Sequence, residues 1–566
     1  MQKSKIFLLL ILFLALVLRF WKLGSYPALN ADEAAVGYNA YSLIRTGLDE
    51  HGNSWPIHFQ SFNDYKPGLY FYLVLPFVWF LGLNEWAVRI PGAFLGVATV
   101  YLVYLLADQL LKIQKNKIEN IRYQMVPLLS AFFLAISPWH IHFSRGGWEV
   151  NVATFLVVLA ILLFLKGLIS NVFLFLSSFF FSLSLYTYHA ARVITPILVI
   201  GLLVIEKDVL KKNIKNFFLA GLVGLMIALP LVKDLTKPEI FSRAAGVGLF
   251  ADTGPLARIN EQRGEHGVLT GLSTIIFHNK LVNYGLAFFE NLTEHFEGEF
   301  LFLSGDDVQR NKVPETGQMY IFDLLWIMIG ISWMLKNLEK KEVRFILFWL
   351  VVAPTASALT FQSPSALRSQ NMIIPLVLIC SFGLSITINF FLSKKINDSK
   401  DLIRGKHFKL NRFKPLGLVF IVALISWSFG RYLHMYYVHM AKEYPFSSQY
   451  GVRELVTYIS ENKEKYRKII VTDRYDQPYI LFLFYLKFPP KDFQNNHILT
   501  PRDKYGFSTV RGFDKYEFRP IFWDLDQPNN PNSLIIGTDE EIPDESNNIA
   551  KIYGINLYKY FEVVAN

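Results

Sequence analysis

Long apolar runs recur along the first 432 residues of this chain and are separated mostly by short charged links. They lie near residues 5–21, 91–111, 124–138, 150–168, 172–188, 193–205, 216–232, 319–335, 343–361, 370–392 and 414–432. That is about eleven segments near the length an α-helix needs to cross a hydrocarbon core about 30 Å thick. No water is available there, so each peptide group must bond within its own helix, and such runs can only be helical. Charged residues are 18% of the 566 positions and hydrophobic ones 52%. The charged share is well below the roughly 25% of soluble domains, which points to a polytopic membrane protein. The start, Met-Gln-Lys-Ser-Lys before an apolar stretch, has the form of a signal peptide. The stretch runs on into Arg19, Phe20, Trp21 and Lys22, an interfacial anchor pattern that favours an uncleaved first span.

Lys and Arg orient such a chain, because cytoplasmic connections carry them in excess. The basic links 112–122, 207–215, 336–344 and 394–414 share a side with the basic N-terminus only if the run at 68–83 does not cross. That run therefore reads as an amphipathic or re-entrant helix on the outer face. Outside remain a first loop (22–90), a long loop (233–318), three short turns (138–150, 188–193, 361–370) and the tail. The net charge of +10 belongs to these links, which argues against nucleic acid. The tail, 433–566, alternates a helix (449–465), a strand (468–472), a helix (477–487) and strands near 533–537 and 558–564. It reads as a small extracytoplasmic α/β domain after a mainly α membrane domain, 1–432. The one cysteine, Cys380, lies inside an apolar run, so no disulfide forms within the chain. No internal repeat is visible, unlike many secondary transporters.

The outer segments hold the chemistry. Asp32 and Glu33 follow the first span and begin a short helix. A helix start favours acids for its own sake, and an Asp so fixed is also well oriented as a base or metal ligand. Lys66, in Asp64-Tyr65-Lys66-Pro67-Gly68, reads as a snorkelling lysine or as a holder of an anionic headgroup. Arg89, Arg145, Arg192 and Arg368 stand singly at span ends on the same side. One such Arg is an interfacial anchor; several, with Lys66, suit a shared phosphate. Glu149 is a second candidate acid, or an ion-pair partner of Arg145 four residues earlier. His189 and His295 are candidate ligands, though a lone histidine in a polar loop is more often solvated.

In this order along the chain, Asp32-Glu33, Tyr65-Lys66-Pro67-Gly68-Leu69-Tyr70, Arg89-Ile90-Pro91, Ser144-Arg145 with Glu149, and the stretch from His295 to Asp306 resemble the polyprenyl-phosphate-sugar-dependent membrane glycosyltransferases of the GT-C class. The likeness is to glycosyltransferase family 39 in particular, the bacterial relatives of protein O-mannosyltransferases and of the lipid A aminoarabinose transferase. Gly68 stands where the family has a second proline, and Glu149 where it usually has Asp at a different spacing. The resemblance implies a GT-C fold in the cell membrane with an outer-facing site. It implies inverting transfer of a sugar, a hexose such as mannose or a pentose, from a polyprenyl-phosphate donor to a protein, lipid or glycan hydroxyl. Asp32 would be the catalytic base with Glu33 supporting. Lys66, Arg89, Arg145 and Arg368 would hold the donor phosphate, with Glu149, His189, Arg192 and His295 in support. It leaves open a divalent metal (Mg, Mn or Zn) shared by Asp32 and Glu149. The rival reading is a transporter or flippase of a lipid-linked sugar. Such proteins place ionisable groups near the midplane, whereas these acids sit at a surface.

Overall fold

A computed structural model describes residues 2–566 except 63, 114–123, 238–239, 241–245, 267–270, 393–406, 445–446, 448 and 503–507. Most of the basic links 112–122 and 394–414 lies outside the described residues. Each of the expected apolar runs carries a helix, beginning with α1 (Gln2–Phe20). Next come α2 (Ala31–Thr46), α3 (Leu69–Leu81), α4 (Glu85–Ile113), α5 (Val126–Ile136), α6 (Pro138–Arg145) and α7 (Glu149–Gly167). Among the described residues, five helices are long and apolar enough to cross a membrane, and the bent pair α5–α6 makes a sixth if counted as one span. That is fewer than the eleven runs suggest. The chain breaks several runs into helices too short to span alone: Asn171–Ser184 has 14 residues and Asp323–Leu335 has 13. At 1.5 Å per residue, 13 residues reach about 20 Å.

The break between α5 and α6, a 56° bend, illustrates the cause. Pro138 has no N–H to continue the helix, so a new one starts there, with Ser137 Oγ accepting from His140 N at 3.2 Å. The carbonyls this leaves without helical donors are met by a buried cation. Arg19 donates to Leu134 O and Ala135 O, both at 3.2 Å, and pairs with His140 Nδ1 at 2.6 Å. It is fully buried rather than an interfacial anchor.

Two features of the first loop were not visible in sequence. Strands β1 (His58–Ser61) and β2 (Asp64–Pro67) form an antiparallel hairpin in which Lys66 faces Phe59. Past its end, Gly68 donates to Ile57 O at 2.9 Å, and a Cβ at Gly68 would lie 2.8 Å from that same carbonyl. A proline here would remove the hydrogen bond, so glycine is what the turn requires. The tail contributes a seven-stranded mixed sheet. Its strands are β3 (Lys468–Val471), β4 (His497–Leu499), β5 (Val510–Phe513), β6 (Tyr516–Phe518), β7 (Ser533–Gly537), β8 (Asn548–Tyr553) and β9 (Lys559–Ala565). They lie in the order β4-β5-β6-β3-β7-β9-β8, with β3 parallel to both neighbours and the other pairs antiparallel. The helix Pro478–Leu486 packs on this sheet and also against α2. One apolar cluster therefore runs from Ala34, Tyr38 and Phe71 to Phe482, Phe493 and Phe518.

Substituting Gly68→Ala forces a methyl against fixed backbone and should cost about 1–3 kcal/mol. A lowered melting temperature of the detergent-solubilised protein checks this.

Candidate active site

Asn30 caps α2: its Oδ1 accepts from Glu33 N at 3.0 Å, and Glu33 Oε2 accepts from Asn30 N at 3.2 Å. Asp32 is thus not the cap. It sits one residue before Glu33, in the first turn, and its carboxylate faces a cavity of about 570 Å³. Glu33 points the other way and is buried. Its oxygens accept from Arg89 Nε at 2.6 Å and Nη2 at 2.7 Å, and from Gly147 N at 2.9 Å.

Arg89, expected to bind phosphate, has no donor left to do so. Beyond the two bonds to Glu33 it gives hydrogen bonds to Leu23 O, Pro27 O and Ala28 O. Arg145 is likewise committed. It donates to the carbonyls of Leu18, Arg19, Trp21 and Tyr26 and to Tyr436 Oη. A guanidinium has five N–H groups, and both side chains use all of theirs inside the protein. The geometry therefore corrects the expectation for Arg89 and Arg145 as phosphate ligands, and for Arg145 as the ion-pair partner of Glu149. It also removes Glu33 from direct chemistry in this cavity.

The cavity gathers Asp32, Lys66, Glu149, His189 and Arg368 from the expected residues. Lys66 pairs with Asp32 and lies 4.6 Å above the Phe62 ring. Glu149 begins α7, and Arg368 donates to Gln362 O at 2.9 Å and Gln362 Oε1 at 3.0 Å. His189 is braced through a chain of partners. Its Nδ1 meets Arg192 Nη1 at 3.2 Å, Arg192 Nη2 meets His58 Nε2 at 2.5 Å, and His58 Nδ1 meets Asp234 Oδ2 at 2.6 Å. Arg192 thus supports the cavity from behind.

His295 does not reach the cavity. It is buried, with Nδ1 donating to Asn291 O at 2.8 Å and Nε2 accepting from Ser365 N at 3.2 Å. Burial lowers its pKa to about 4, so it is neutral and structural rather than a solvated loop histidine.

Three cavity groups were missed in sequence. Arg310 Nη1 lies 3.5 Å from Asp32 Oδ2 and 3.5 Å from Asp476 Oδ2. Asp476 comes from the tail. Asp306 is buried and accepts from Ala366 N at 2.6 Å and Val308 N at 2.8 Å, tying the long loop to the turn that carries Arg368. Nothing local in the sequence marks Arg310 or Asp476, since each meets its ion-pair partners at least 166 residues away. Among the described residues no three His, Cys, Asp or Glu side chains form a group that would hold a metal ion. Asp32 is faced instead by two cations, and the metal left open at Asp32 and Glu149 has no third such ligand among the described residues.

No family model and no curated protein matches the chain. Solved structures do. The ArnT of Cupriavidus metallidurans bound to undecaprenyl phosphate aligns with a TM-score of 0.52 at 10% identity, over 98% of this chain and 97% of that one. Its apo state gives 0.52 and 10% over 99% and 98%. An archaeal oligosaccharyltransferase, AglB from Archaeoglobus fulgidus in complex with an inhibitory peptide and a dolichol-phosphate, gives 0.48 at 13% identity over 85% of this chain. The chain spans 63% of that protein's length. Over 98% of the chain the fold is thus similar to that of ArnT.

Arg89→Leu should destabilise the protein by about 3–5 kcal/mol, because it strands the Glu33 charge in the interior. Adding Glu33→Gln should recover part of the loss, as read by thermal unfolding. His295 sets a pH limit. Its folded pKa lies below its unfolded value, so its contribution is complete above about pH 6.5 and is lost as pH falls toward 4. Melting temperature should drop across that window in the wild type and drop less in His295→Gln.

Proposed function

We propose that this protein is an inverting glycosyltransferase that moves a sugar from a polyprenyl-phosphate donor to an acceptor hydroxyl. The site and the tail domain would lie on the extracytoplasmic face of the cell membrane. The observation that carries the reading is the Asp32–Lys66 pair on a cavity also lined by Arg310 and Arg368. One carboxylate thereby stands beside a set of cations, in the fold shared with an ArnT bound to undecaprenyl phosphate. Support for the orientation comes from the placement of basic links along the sequence.

The chemistry follows from charge. A polyprenyl phosphate leaving group gains negative charge as the anomeric C–O bond breaks, and preorganised cations stabilise that charge. Lys66 is the first candidate, with Arg310 and Arg368 behind it, replacing Arg89 and Arg145. Lys66 is held by Asp32. A donor phosphate competes for Lys66 and releases the carboxylate to act as base. The acceptor oxygen then attacks the anomeric carbon from the face opposite the phosphate. Its proton passes to Asp32, the electron pair of the broken bond leaves on the phosphate oxygen, and the centre inverts. Glu149 and His189 line the same cavity and are the candidates to contact donor or acceptor groups. The reading admits protein, lipid or glycan acceptors and hexose or pentose donors.

Asp32→Asn should reduce transfer from labelled polyprenyl-phosphate sugars by about 10³-fold or more while the protein remains inserted and folded. Lys66→Ala should raise the donor KM at least as strongly as it lowers kcat. Full activity in Asp32→Asn would remove the assignment.

A further inference from the structure

The tail domain touches Asp32's surroundings in two places, and neither is needed merely to dock it. Docking already has the apolar cluster shared with α2 and α3. It has polar clasps as well: Tyr38 Oη donates to Phe488 O at 3.0 Å, and Gln494 Nε2 donates to Asp49 O at 2.7 Å.

The first further contact is Gln449. Its side chain is buried, and its Oε1 accepts from Ala31 N at 2.5 Å. That amide is the first of α2 and has no partner within the helix. The other end of the same side chain, Nε2, donates to Asp476 O. Gln449 thus links the residue before Asp32 to the backbone of a cavity residue. Gln449 and Gln477 both hold φ of +51°, a conformation few non-glycine residues adopt and one that the surroundings must impose. The second contact is Asp476 itself. Its carboxylate lies 3.5 Å from Arg310 Nη1, the nitrogen that is also 3.5 Å from Asp32. Asp476 thereby divides the pull of Arg310. Without it, Arg310 would bear on Asp32 alone, and the carboxylate would stay paired after a donor phosphate draws Lys66 away, less ready to take a proton.

We propose that Gln449 and Asp476 are positioning residues, through which the tail domain sets both the place and the freedom of the Asp32 carboxylate. This inference rests on the glycosyltransferase reading, and Asp32 remains the group that touches substrate. A base displaced by about 1 Å can lose about 10²-fold in rate, so a half-loosened helix start is enough to register.

The test compares wild type with Gln449→Leu and Asp476→Asn in membranes. It follows polyprenyl phosphate released from labelled polyprenyl-phosphate hexoses and pentoses, together with amide hydrogen exchange of purified protein. Each variant should lower kcat about tenfold with the donor KM within about twofold of wild type. Exchange should rise in residues 29–36 of Gln449→Leu while the rest of α2 stays protected. Asp476→Asn changes an exposed carboxylate and keeps the test alive if Gln449→Leu fails to fold. Wild-type kcat in both variants, a raised donor KM with unchanged kcat, or unchanged exchange at residues 29–36 would overturn the proposal. If the wild type itself releases no polyprenyl phosphate, the glycosyltransferase reading fails. The exchange result then still decides whether Gln449 holds the start of α2.

Discussion

The buried ion pair between Glu33 and Arg89 is the contact on which the site's geometry depends. It fixes three elements at once: the start of α2 through Glu33, the start of α4 through Arg89, and the turn before α7 through Gly147 N. A charge pair so far from water is costly unless its remaining lone pairs and protons are satisfied. Here they are, by Asn30, by Gly147 and by three main-chain carbonyls. Asp32, next to Glu33 in the first turn of α2, is thereby held facing the opposite way, into the cavity.

A second arginine completes the same job on the backbone. The chain from Leu18 to Ala28 is mostly irregular, and buried irregular backbone needs donors for its carbonyls. Arg145 binds the carbonyls of Leu18, Arg19, Trp21 and Tyr26, while Arg89 binds those of Leu23, Pro27 and Ala28. The planar, permanently charged guanidinium suits this role better than a lysine, whose three donors diverge from one point. Both arginines are therefore framework, and the cations that line the cavity are Lys66, Arg310 and Arg368.

The runs, the acids at the start of α2 and the break after Lys66 are legible in the sequence because each has a local signature. Apolar length marks a helix, an acid after a cap marks its start, and Pro-Gly marks a break. It misassigned Arg89 and Arg145 because an arginine at a span end looks the same whether it faces a headgroup, a phosphate or its own backbone. It missed Arg310 and Asp476 because their meaning lies in contacts with Asp32 across the whole chain. His295 was ambiguous for the same reason: only burial beside Asn291 and Ser365 makes it neutral.

By itself the sequence determined that this chain would be a bundle of apolar helices with a polar tail. Hydrocarbon length and backbone satisfaction allow nothing else. It also determined that carboxylates and cations would gather near the ends of helices rather than at their middles. Only the tertiary structure decided which of those charges meet one another and which meet the cavity. The reason is that an arginine or glutamate has the same composition in either role, and its function is set by which oxygens and N–H groups surround it. Glu33 and Asp32 are adjacent in sequence, yet the helix turns one into the interior to meet Arg89 and the other outward to meet Lys66.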